Sequence, residues 1–89
     1  MSTTTLEEMQ HDPLVMSVAR ALRVANDAAQ KHGTNPADSL VTISEDSSPA
    51  GRLWRIHYGP REYINRRGGD LIVLVDESAG QVQRIVRGQ

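Results

Sequence analysis

The sequence predicts an α+β fold in which one N-terminal helix packs on a four-stranded antiparallel sheet, in the order helix, strand, strand, strand, strand. Three observations predict it. From Leu14 the apolar residues Leu14, Val15, Val18, Ala19, Leu22, Ala25, Ala28 and Ala29 recur with a period near 3.6. Beyond residue 39 the pattern changes to alternation and short apolar runs, in Leu40–Glu45, Leu53–Tyr58, Leu71–Val75 and Gln81–Arg87. Only turn-forming or irregular segments separate these runs, with none of the helical crossovers that parallel pairing requires.

Residues 1–11 are polar and Thr-rich and read as a flexible tail, so a single domain is expected over residues 12–89. Asp12 can cap a helix whose first position is Pro13, where a missing N–H costs nothing. Lys31 and His32 then fall in the last turn and Gly33 supplies a left-handed stop. The alanines on the apolar face call for close approach to whatever lies beneath. After a loop over 34–39, the first strand sets Val41 and Ile43 against Thr42 and Ser44. Residues 46–51 form a turn, and the second strand places Trp54, Ile56 and Tyr58 on one face, Leu53, Arg55 and His57 on the other. Trp54 is expected to seal the core against the helix. Truncating it to Ala should cost about 3–5 kcal/mol of a total near 5–10 kcal/mol.

Residues 59–69 form a longer excursion with Arg61, Arg66 and Arg67 around Tyr63 and Ile64. It closes on Gly68-Gly69, a pair suited to a sharp approach to the next strand. Leu71–Val75 is apolar at every position, the mark of a strand covered on both faces. One helix can cover only one face, so Ile72 and Leu74, or their alternates, need a roof from the 59–69 loop, from a second copy or from a partner. Asp76 and Gly80 bound a hairpin turn. In the last strand Val82 and Val86 fall on one face and Ile85 on the other, which implies a bulge or a two-faced edge.

Composition excludes several classes of function. A chain of 89 residues without Phe, whose aromatics are Trp54, Tyr58 and Tyr63, builds a small aliphatic core and buries only about 60–65% of its unfolded surface. Little volume remains for an enclosed catalytic pocket. Absence of cysteine removes disulfides, thiolate metal sites and a cysteine nucleophile. His11, His32 and His57 show no ligand spacing, so no metal and no cofactor is expected. Glu62, Asp70 and Asp76 lie in or beside turns, without sign of the convergence that acid–base catalysis needs. No serine stands on a strand-to-helix elbow. The N-terminal residues do not make a signal peptide and no segment could span a bilayer, so a cytoplasmic protein is expected, with export left open.

Charge is nearly balanced overall but unevenly placed. Residues 1–50 carry three basic and seven acidic side chains, residues 51–89 seven basic and four acidic, and all seven are Arg. Arginine forks match carboxylates and phosphates, which fits a face made for an acidic partner; the solvated positions of a sheet, facing water or the acidic part of the same chain, are the reading the pattern favours. Arg52, Arg55, Arg61, Arg66, Arg67, Arg84 and Arg87 around Tyr58 and Tyr63 also resemble a single-strand nucleic-acid groove. A pI near 6.3 disfavours that use.

The succession Ala21-Leu-Arg-Val-Ala25, Leu53-Trp-Arg-Ile-His57, Gly68-Gly-Asp-Leu-Ile-Val-Leu-Val-Asp76 and Ala79-Gly-Gln-Val82 resembles the small cystatin-like α+β families. Those are the PepSY-like domains and the bacterial immunity proteins with a nuclear-transport-factor-two-like fold. The resemblance covers residues 13–88 and implies a curved sheet and a non-enzymatic role, restraining a peptidase or neutralising a toxin. It gives Trp54, Gly68, Gly69, Asp76 and Gly80 structural roles and carries over no catalytic set. The expectation is thus a module that binds a protein partner through Arg55, Tyr63, Arg66 and Arg67. The alternative is a homodimer in which Ile72 and Leu74 meet their symmetry mates.

Overall fold

A computed structural model of the chain describes residues 4–49, 51–61 and 70–88. Two helices, α1 (Leu6–Gln10) and α2 (Pro13–Lys31), precede a single 3-10 turn at Pro36–Asp38. Four strands follow, β1 (Ser39–Ser48), β2 (Gly51–Pro60), β3 (Leu71–Asp76) and β4 (Gln81–Arg87), joined as an antiparallel meander in the order β1-β2-β3-β4. The α+β architecture expected from the sequence is the one observed.

Helix α2 begins and ends where local chemistry says it should. The Asp12 carboxylate accepts from the backbone N–H groups of Leu14 (3.0 Å) and Val15 (3.2 Å), with Pro13 as the first residue. At the other end Gly33 takes φ +83°, its N–H donates to the Gln30 carbonyl, and Thr34 N–H donates to the Ala29 carbonyl. This is the paired closure by which a left-handed glycine satisfies terminal carbonyls. Arg87 of β4 adds a further donor, to the His32 carbonyl at 2.9 Å. Ala21, Ala25 and Ala29 are buried along the face that meets the sheet, and their small side chains let the helix approach closely.

Within the segment expected as a tail, residues 5–10 hold local structure. Thr5-Leu-Glu-Glu8 is a capping-box sequence, and the Thr5 hydroxyl accepts from Glu8 N–H at 3.1 Å, starting a one-turn helix with every residue exposed. Leu14 and Val15, assigned by periodicity to the core stripe, are also exposed. The buried stripe of α2 starts only at Val18, so the first turn of the helix carries its apolar residues in solvent.

Register places the side chains of the sheet in rows. On the helix side these are Glu45–Trp54–Val75–Val82, Ile43–Ile56–Val73–Ile85 and Val41–Tyr58–Leu71–Arg87. Trp54, Ile56, Tyr58, Leu71, Val73 and Val75 form the core beneath the alanine stripe. The expected bulge is present between Leu74 and Val75, where Gln83 is passed over in the pairing of β3 with β4. It corrects one face assignment. The extra residue brings Val82 onto the same side as Ile85, against the core, and leaves Val86 alone on the opposite side. The strands β1 and β2 also run on to Ser48 and from Gly51, so the turn predicted over 46–51 is shorter than the sequence implies.

Candidate functional site

The side of the sheet away from α2 is the candidate site. Its rows are Asp46–Leu53–Asp76, Ser44–Arg55–Leu74–Arg84 and Thr42–His57–Ile72–Val86. Leu53 is buried, Ile72, Leu74 and Val86 are half-buried, and Arg55 and Arg84 are exposed on either side of Leu74. Among the described residues neither arginine enters an ion pair or a side-chain hydrogen bond. The result is an apolar strip rimmed by cations, with Asp46 and Asp76 at one end. The strip follows from the alternation of β3: Leu71, Val73 and Val75 take the core, so Ile72 and Leu74 must face outward.

At the other end lies a pair that sequence reasoning missed. His57 Nε2 stands 2.9 Å from Asp70 Oδ2, both side chains about a third exposed (32% each). The surface histidine and the turn carboxylate expected from the sequence are thus partly buried and joined. Two glycines make room. A Cβ on Gly59 would lie 3.1 Å from His57 Cε1, and one on Gly88 would lie 3.2 Å from Asp70 Cβ. The available signal was His57-Tyr-Gly59, which sets the imidazole over a glycine on one strand face, combined with an Asp immediately before the facing strand. Thr42 and Ile72 flank His57 in the register, and no serine stands in that row. The pair fixes the ring and ties the end of β2 to the start of β3.

The remaining sequence-derived residues divide sharply. Tyr63, Arg66, Arg67, Gly68 and Gly69 lie outside the described residues. Trp54 is buried in the core, as expected of a seal against the helix. Its indole N–H points to Glu77 Oε1 at 3.4 Å, and Arg52 stacks 5.5 Å above the ring while pairing with Glu45 (3.0 Å) and Glu77 (3.5 Å). The Ser17 hydroxyl first, then the Trp54 indole and Arg52, hold the Glu77 carboxyl below the usual carboxylate range. This cluster joins the start of α2 to the β3–β4 turn. Within that turn Asp76 accepts from both the N–H and the hydroxyl of Ser78, which lower its pKa, and Gly80 adopts φ +63°.

On the helix side Tyr58 donates to Asn26 Oδ1 at 2.7 Å, and burial pushes its phenol up to about 12. Two open clefts flank α2. One, of about 1160 Å³, lies toward β4 beside Val24, Ala28, Val82 and Ile85. The other, of about 390 Å³, lies toward β1. Among the described residues no three metal-ligating side chains converge, no buried side-chain polar atom lacks a partner, and no helix is long and apolar enough to cross a membrane. Comparison with protein-family models, with characterised proteins and with solved structures gives no significant match.

Proposed function

We propose that the protein is a non-enzymatic binding module that docks a protein partner onto the open face of its sheet. One observation carries this: the partly buried apolar strip Ile72, Leu74 and Val86 has no element packed over it among the described residues, and it is rimmed by Arg55 and Arg84, which enter no ion pair among those residues. An apolar centre with arginine anchors is the composition of an interface hot spot. The preferred partner presents aliphatic or aromatic groups flanked by carboxylates. Tyr63, Arg66 and Arg67, on the segment joining β2 to β3, join the proposed interface on sequence grounds. An inhibitor or immunity-type role in the cytoplasm, needing no cofactor, is the form in keeping with the cystatin-like resemblance.

The test is a paired substitution on that face, Arg55→Glu with Leu74→Ser, in a tagged chain. Capture of its partner should disappear while the chain still melts cooperatively, because Arg55 is exposed and Leu74 lies outside the core. Undiminished capture refutes the assignment. The same strip supports a second reading, a homodimer through Ile72 and Leu74. Stacking two copies would crowd Arg55 and Arg84 of both onto one seam, which favours a different partner. Light scattering at tens of micromolar separates the two, since a monomer excludes the homodimer.

A further inference from the structure

We infer that the β1 edge is a second docking site, built to take an extended peptide as a fifth strand. The two edges of the sheet differ in how they are guarded. Natural sheets blunt an exposed edge with bulges, proline or charged side chains, above all lysine. Strand β4 has such devices: the bulge at Gln83 interrupts its register, Arg84 and Arg87 are its charges, and Arg87 ties it to the end of α2. Strand β1 lacks all but two acids, Glu45 and Asp46. Its ten residues pair with β2 without a break, contain no proline and no basic residue, and among the described residues no strand pairs with the main-chain donors and acceptors on their outer side.

The helix adds a side-chain pocket to this edge. Helix α2 lies over β2, β3 and β4 and stops short of β1, so Val41 and Ile43 are only half-buried although they point to the core side. A cleft of about 390 Å³ opens there, floored by Val41, walled by Leu22, Asn26 and Gln30 of α2, and closed at one end by Pro36 and Ala37. The closing wall is fixed in place, because Asn35 accepts from Ala37 N–H at 3.0 Å and donates to Asp38 at 3.0 Å, while Ser39 bonds the Asn35 carbonyl at 2.8 Å. A strand added to β1 would send alternate side chains to the helix side of the sheet, where the one beside Val41 meets this cleft, the arrangement by which edge addition gains affinity from main-chain bonds and selectivity from a pocket.

Charge selects the occupant. From Gly33 to Gly51 the chain has no Lys or Arg and three acids, Asp38, Glu45 and Asp46. Pairing β1 with β1 of a second copy would supply no cation to either strand, so Asp46, which has no basic partner among the described residues, would gain none there. The complementary ligand is an extended peptide with alternating aliphatic residues and a lysine or arginine near Asp46, since Glu45 is already met by Arg52.

Selection of a random linear-peptide display library against the full chain tests this. Enriched peptides should alternate apolar residues with at least one basic residue, and a labelled synthetic copy should shift the backbone amides of β1, Leu22 and Asn26. Methylating its alternate backbone nitrogens, which touches only the ligand, should weaken binding on the order of tenfold or more. Val41→Lys should do the same in a chain that still melts cooperatively. Any of three results overturns the inference: no enrichment above a scrambled background, amide shifts confined to the open face around Arg55 and Leu74, or self-association through β1.

Discussion

Neighbouring residues of β3 should respond differently to the same truncation. Val73 is fully buried, flanked in its row by Ile56 and Ile85 under the alanine stripe of α2. Val73→Ala removes two carbons, about 1.6 kcal/mol of transfer energy, and the cavity left in a close-packed core raises the loss to about 2–3 kcal/mol. Leu74→Ala removes three carbons, a larger change in chemistry. Its side chain is only partly buried, on the open face away from the core, so the expected loss is about 1.5 kcal/mol. Both changes put Ala into the same strand, and the strand-propensity contribution largely cancels. Thermal melts followed by circular dichroism should therefore place Val73→Ala roughly 10–20 °C below the parent and Leu74→Ala, despite the larger truncation, only about 6–12 °C below it. Equal losses, or a larger loss at Leu74, would show the open face to be packed, and the proposed docking strip would fall with it.

Two pH dependences follow from the polar contacts. Glu77 has a folded-state pKa below the ordinary 4.5, so its stabilising contribution is present above that value and lost as pH falls through the folded one. Glu77→Gln should flatten the fall in melting temperature between about pH 5 and 3, though only in part because Asp76 is shifted the same way; parallel profiles would contradict the Ser17–Glu77–Trp54 cluster. Tyr58 has a folded-state pKa raised from 10.0 to about 12, so its contribution is complete below 10 and disappears as pH rises toward 12. Tyr58→Phe should abolish that alkaline loss and cost about 0.5–1.5 kcal/mol at neutral pH through the broken bond to Asn26, measured by urea denaturation; an unchanged alkaline transition would place its origin elsewhere.

Much of the architecture was legible because it is local. The cap at Asp12-Pro13, the stop at Gly33, and the outward alternation of Arg55, Ile72 and Leu74 depend on residues within a few positions of one another, where propensity and pattern act directly. The short helix at Leu6–Gln10 was equally local and lay in the Thr5-x-x-Glu8 spacing, masked by the polarity of the segment.

What the chain by itself determined, then, is the list of elements and the two-sided character of β3, since both follow from periods of 3.6 and 2 written into neighbouring residues. Only tertiary structure decided the rest. Register across thirteen residues joined His57 to Asp70, and a bulge turned Val82 inward while leaving Val86 out. The off-centre seat of α2 left β1 with a cleft and a lightly guarded edge. Each of these depends on which strand lies beside which and how far the helix reaches, quantities set by packing between segments distant in sequence.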